Sequence, residues 1–282
     1  MRIRQPIRYT ARFILGLFGV VVLLAIYGYL SYRQHLINPR DTTIPNATQL
    51  WDGVTMLFTP KDLAFGGNNS NGVVDKISKT MFFRDGWATY SRLFIGLGWG
   101  CLFSVILGVL MGCFESLAAL LVPVLSFLAK IPGTAMLAVF FVLSGTGENM
   151  FIAMIGFGVL PTLTQSVYFA ARDDLHHEEI DKAYTLGASN LEVIWEVVFP
   201  KIMPKILDSI RLQVGPAMVY LVAAEMLVGQ VGVGYQIRMQ QRLLHMNVVY
   251  VYLAILGLTG LLIDKAMLSF RQWYCPWFDQ ER

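Results

Sequence analysis

Glu225 stands inside an otherwise apolar run, VYLVAAEMLVG. An ionisable side chain there is expensive, so it marks a functional candidate: a structural or gating acid, or a contact for a cationic solute. Ala223 and Ala224 beside it permit close approach of a second helix. Thr162, Thr164 and Gln165 fall on another apolar stretch, and Ser126 and Thr134 flank a KIPGT interruption on a third. Such hydroxyls and amides can line a polar pathway or bond neighbouring helices. Lys130 either snorkels or faces the same cavity. Other chemistry is missing from the sequence. No Gly-x-x-x-x-Gly-Lys-Ser/Thr loop is present to cradle nucleotide phosphates. No Cys or His spacing suits a metal, and His176–His177 are adjacent, so on a helix their rings point apart. GTGEN and GQVGVGYQ lack a strand–turn–helix setting and read as turns. With no nucleophile–base constellation, an enzyme is disfavoured. Any ATP this protein used would have to be hydrolysed by another chain.

A second feature is half-polar: DKAYTLGASNLEVIWEVVFP, residues 181–200. Ile180, Ala183 and Tyr184 share one helical face that ends at Gly187, a suitable C-cap. Glu178, Glu179 and Asp181 suit the positive end of that helix's dipole. Ser189 with Glu192 has capping-box spacing. Leu191, Ile194, Trp195 and Val198 then follow at i, i+3, i+4 and i+7, and Pro200 is expected to stop the helix. The spacing predicts a compact helix–turn–helix with an apolar face. It could lie on lipid or dock a cytoplasmic partner while joined rigidly to the next span.

The elements that must position these residues follow from composition. Of 282 residues, 55% are hydrophobic and 15% charged, with a mean hydropathy of +0.55. The apolar runs reach the roughly 20 residues that cross hydrocarbon as helix. They predict an all-α membrane protein with six spans at about 13–32, 93–113, 120–144, 150–170, 206–228 and 248–268. The 120–144 stretch should kink or break at Pro132–Gly133. Gly96, Gly100, Ser104, Gly108 and Gly112 make one narrow face for close packing. A polar segment at about 33–90 lies outside, and a loop at about 171–205 lies in the cytoplasm. Arg2, Arg4, Arg8, Arg12, Arg172, Lys182, Lys201, Lys205, Arg271 and Arg282 then fall on the cytoplasmic side with both termini. The first apolar run is too long for a signal peptide, and Tyr27, Tyr29 and Tyr32 sit at its outer end like an interface belt. Net charge is +3. Cys101 and Cys113 would lie roughly 18 Å apart along one helix, too far to bridge. Asn46 in NAT fits a glycosylation sequon, to which no weight is given.

Gly187 with Pro200 thirteen residues on, inside LGASNLEVIWEVVFPKIMPKILDSIRLQVG, resembles the cytoplasmic loop of binding-protein-dependent ABC importer permeases. The Glu-Ala-Ala that usually opens that loop is Asp181-Lys182-Ala183 here. The segments YSRLFIGLGWG, LAKIPGTAML and LVAAEMLVGQVGVGYQI are similar in order to the nitrate/sulfonate/bicarbonate-type subfamily. NPRDTTIPNATQLWDG, DSIRLQVGPAMVYLVAAEM and CPWF resemble permeases found beside urea carboxylase genes. The resemblance implies the type I importer permease fold in a bacterial inner membrane. It also implies a coupling role for Asp181, Ala183, Gly187, Ala188, Ser189, Trp195 and Pro200. Implied partners are a second permease copy as homodimer, two cytoplasmic ATPases and an extracytoplasmic binding protein, with no nucleic acid. This chain would hold no cofactor, since ATP and Mg bind the ATPase. The solute would be small and polar: nitrate, sulfonate, bicarbonate or guanidine/urea-like. The family also carries an acid at the place of Glu225, whatever its solute, which favours structure or gating. A stand-alone secondary transporter or channel is the alternative; no inverted repeat supports it, and it gives the 181–200 segment no purpose.

Overall fold

In a computed structural model, residues 9–39, 41–58, 81–174 and 177–278 are described. The basic residues before Tyr9, the FGGNNSNG turn and His176 lie outside them. Every regular element among the described residues is helical. In chain order these are α1 (Tyr9–Ile37), α2 (Ala47–Phe58), α3 (Met81–Cys113), α4 (Glu115–Leu128), α5 (Leu137–Ser144), α6 (Glu148–Asp174) and α7 (His177–Thr185). There follow α8 (Asn190–Glu192), a π-helical turn (Val193–Val198), α9 (Phe199–Val228), α10 (Val233–Arg242) and α11 (Met246–Tyr274).

Among the described residues, five helices are long and apolar enough to cross a membrane: Phe13–Ile37, Phe82–Cys113, Glu148–Asp174, Asn190–Val228 and Met246–Tyr274. The stretch read as a third span is divided. Helix α4 has 14 residues and α5 has 8, both short of a bilayer's thickness. Between them the chain turns through Lys130–Met136, with the Ala135 amide bonded to the Pro132 carbonyl. Pro132 lacks an amide donor, and Gly133 is pressed against Tyr220, whose ring would stand 2.8 Å from an added Cβ.

The small-residue face of α3 packs on α6, the most extensive helix pair among the described residues. A Cβ on Gly96 would meet Ile155, one on Gly100 Val159, and one on Gly112 Ala171. Ser104 Oγ donates to the Leu160 carbonyl at 3.3 Å. At Gly108 an added Cβ would lie 2.6 Å from Val167 Cβ and 2.8 Å from the Thr164 carbonyl. Gly108→Leu should therefore lower the thermal unfolding midpoint of the purified protein, overpacking costing about 1–3 kcal/mol. Gly98→Leu, on the open face of the same helix, should leave the midpoint near its starting value. Equal midpoints for the two would refute this packing.

Helix α1 stands apart: none of its apolar window is buried. Hydrocarbon is the solvent that suits Phe13, Leu17 and Leu24 at 67%, 55% and 65% exposure. Its C-terminal end is tied, by Tyr27 Oη to the Pro45 carbonyl at 2.7 Å and Ser31 Oγ to the Ile44 carbonyl at 3.1 Å. In the loop beyond, the Thr43 hydroxyl, then the Gln34 amide, hold the Asp41 carboxyl down at about 2. Part of the segment read only as polar forms α2, which lies on α11: a Cβ on Gly53 would stand 2.8 Å from the Asn247 carbonyl.

Candidate functional site

The 181–200 segment folds by local rules. Helix α7 ends in a Schellman arrangement: the Ala188 amide bonds the Ala183 carbonyl and the Gly187 amide that of Tyr184, at 3.1 and 2.9 Å. Gly187 takes φ +87, which a side chain strongly disfavours, and nothing lies within 4 Å of its Cβ position. The capping box forms: Ser189 Oγ accepts from the Glu192 amide at 3.4 Å, and Glu192 Oε2 accepts from the Ser189 amide at 2.7 Å. Tyr184 Oη donates to Asn190 Oδ1 at 2.9 Å across the turn.

Two expectations for this segment are corrected. Pro200 does not stop the helix, which runs on from Asn190 to Val228. The Phe199 amide bonds the Ile194 carbonyl, five residues back, so the π-turn absorbs the register and delivers Pro200 to the first turn of α9, where its missing amide is harmless. The widened turn also replaces the expected 191/194/195/198 face. Val193 and Val198, five apart, are the buried pair. Leu186, Leu191 and Trp195 are turned outward at 88%, 69% and 63% exposure. Asp181, Ser189 and Pro200 are exposed, and Ala183 and Ala188 half-buried.

Glu225 sits at the other end of α9, fully buried in a polar cluster. Thr89 Oγ1 lies 2.9 Å from both its oxygens. Arg92 Nη1 pairs with Oε1 at 2.8 Å, and the Gly234 amide donates to Oε2 at 2.9 Å. Arg92 also reaches the Val231 carbonyl at 2.8 Å, forks onto Glu148, and lies over the Phe151 ring at 4.4 Å. GQVGVGYQ, expected to be a turn, opens helix α10. That helix's first amides are capped from α3 and α9: Gly232 by Asp85 Oδ1 at 3.2 Å, Val233 by Thr89 Oγ1 at 2.8 Å, Gly234 by Glu225. The carboxylate thus lies at the positive end of α10. Gly232 has φ 132, and an added Cβ would fall 2.5 Å from the Glu225 carboxylate, so only glycine fits. Gln236 Nε2 completes the cluster, donating to Asp85 Oδ2 at 2.6 Å.

Reading the sequence misses Arg92, which lies just before the span predicted at 93–113. Asp85, Thr89 and Arg92, spaced by four and three, share one helical face, and that periodicity is the available signal. It also misses the charges joining α9 to α11. Arg271 Nη1 pairs with Asp208 at 2.6 Å, and Arg211 Nε with Asp264 at 2.8 Å. On the other flank Lys201 pairs with Glu179 and Lys205 with Asp174. The pathway candidates are brought together only in part. Gln165 Nε2 donates to Ser126 Oγ at 3.2 Å, while Thr162 bonds Gln213 and Thr134 is exposed at the break between α4 and α5.

Residues 102–277 match the family described as binding-protein-dependent transport system inner membrane component. The chain is 26% identical over 190 residues to the taurine transport system permease protein TauC of Escherichia coli K12, covering 67% of this chain and 69% of that one. It is 23% identical over 258 residues to the nitrate import permease protein NrtB of Synechocystis, covering 91% and 87%. A putative ABC transporter permease of Methanocaldococcus jannaschii is 32% identical over 173 residues, 61% of this chain and 64% of that one. Among solved structures, an inward-facing MetNI methionine ABC transporter chain shares the fold, with a TM-score of 0.60 at 18% identity over 68% of this chain and 95% of that one. The all-helical bundle, the glycine-turned segment leading into α9 and the match over most of the length agree: this chain belongs to the binding-protein-dependent transport system inner membrane family, as the permease subunit of an ABC importer.

Proposed function

We propose that two copies of this chain form the translocation pathway for a small polar solute, nitrate, sulfonate, bicarbonate or guanidine/urea-like in character. An extracytoplasmic binding protein delivers the solute, and two separate ATPase subunits hold ATP and Mg. The chain carries no Walker loop of its own, and the names of the relatives support an anionic or zwitterionic solute. Both termini and the 181–200 segment lie in the cytoplasm. There Asp181, Ala183, Gly187, Ala188, Ser189, Trp195 and Pro200 shape a knob that seats on the ATPase. One observation carries this reading: an exposed apolar knob is continuous, without a helix break, with the 39-residue helix Asn190–Val228. Motion of the knob then moves the span. Glu225, with both oxygens engaged by protein donors, acts as a structural or gating acid rather than a solute contact.

A membrane-impermeant maleimide tests topology and docking together. Leu186→Cys should label in inverted vesicles and not in whole cells, and Ala47→Cys, on α2, the reverse. Assembly with the ATPase subunit should protect Leu186→Cys. Labelling of Leu186→Cys from outside would sink the model.

A further inference from the structure

Helices α6 and α9 meet along an antiparallel seam whose polar residues pair in register. Thr162 Oγ1 donates to Gln213 Oε1 at 3.1 Å, and one turn further along α6 the Ser166 and Ser209 hydroxyls bond at 2.7 Å. Four residues forward on α6 answer four residues back on α9. Above these rungs the Tyr220 ring fills the space that a Cβ on Gly133 or Gly158 would take. Below them the seam opens into a cavity of about 250 Å³ whose lining includes Ser166, Ser209, Asp173, Lys205 and Asp208.

Rungs that only glue two helices are buried between them. Here Thr162 is on the surface, and Ser166, Ser209 and Gln213 are half-buried. One polar end of the Gln213 amide meets Thr162 and the other meets no described residue. An amide left in that condition against hydrocarbon is costly, whereas against water or a polar solute it is satisfied. We propose that this seam, from Tyr220 down to the cavity at Lys205, is the inner half of the solute's route. The proposal rests on the importer reading, and it adds the residues and the chemistry. No charged side chain stands among the Thr162–Gln213 and Ser166–Ser209 rungs, and charges of both signs meet only at the exit. Among the solutes proposed above, the track therefore favours those held by hydrogen bonds without a lone charge, the urea-like and the zwitterionic sulfonate classes, over nitrate and bicarbonate.

The test uses single cysteines at Thr162, Ser166, Ser209 and Gln213 in a Cys101→Ser, Cys113→Ser, Cys275→Ser background, assembled with the ATPase in lipid vesicles. Ile106→Cys, exposed on α3, reports the lipid-facing rate. Trimethylammonioethyl and sulfonatoethyl methanethiosulfonate are applied on the ATPase side, with and without ATP plus vanadate. All four positions should react at least about tenfold faster than Ile106→Cys, and about tenfold slower once vanadate traps the ATPase. The two reagents should agree within about threefold. Rates no faster than Ile106→Cys, or unchanged by trapping, would overturn the route. A tenfold bias toward one reagent would overturn the uncharged track. Thr162→Cys, the least buried of the four, decides the matter if another variant fails to assemble. Failure of the importer reading shows separately, as an unmodified complex without vanadate-sensitive ATPase activity.

Discussion

Glu225→Ala is expected to destabilise the folded protein by about 3–5 kcal/mol, the cost of stranding one member of a buried ion pair. The loss has identifiable parts. Arg92, its side chain only 6% exposed, keeps its charge but loses its one fully buried counter-ion. The Gly234 amide at the start of α10 loses its acceptor, and the Thr89 hydroxyl loses the group to which it donates. Glu225→Gln should cost less, about 1–3 kcal/mol, because the amide oxygen still accepts while its nitrogen turns a donor toward other donors. Glu148→Gln should cost under about 1 kcal/mol, since that partner of Arg92 is 64% exposed and solvent screens it. Replacing both Glu225 and Arg92 by Met should recover part of the loss seen with Ala alone, because no charge is then left unpaired. Thermal unfolding of the purified protein in detergent orders the four variants. A double Met variant no more stable than Glu225→Ala would contradict the assignment of Arg92 as the partner that matters.

Gly187→Val should separate ATP hydrolysis from transport while leaving the bilayer-embedded body intact. The backbone at Gly187 is left-handed, φ +87, and a side chain there costs about 1–2 kcal/mol, more when β-branched. Space is not the obstacle, since a Cβ would meet nothing within 4 Å. The strain falls on the turn that aims Leu186, Leu191 and Trp195, and the knob should lose its shape before any span is disturbed. ATPase activity of the assembled complex would then no longer track uptake. Gly187→Asn should restore much of the coupling, because asparagine tolerates this conformation better than other side chains. Rescue by Asn distinguishes backbone geometry from mere loss of a small residue. Coupled hydrolysis and uptake in Gly187→Val would remove the docking role.

What the sequence determined alone is what neighbours in the chain decide. Hydropathy over a window marked the long helices, because apolar runs have no good environment but hydrocarbon. The break at Pro132–Gly133, the turn at Gly187 and the Ser189–Glu192 box were legible because each depends on backbone groups within a few residues. The glycine face of α3 was legible as a close-packing face, though not that α6 would fill it. Tertiary structure decided the rest. Arg92 and Glu225 are 133 residues apart in the chain, and nothing local to either says that the other will neutralise it. The same holds for Asp208 with Arg271 and Arg211 with Asp264. The π-turn, too, was decided from outside the segment: residues 191–198 carry an ordinary helical period, yet Val193 and Val198 are the pair that meets the core, and Pro200 lacks the amide that a continuous α-register needs. A window average erases a single charge, and a charge inside a membrane protein is tolerable only through its partner. The pairing that makes Glu225 possible exists only once α3, α9 and α10 have packed.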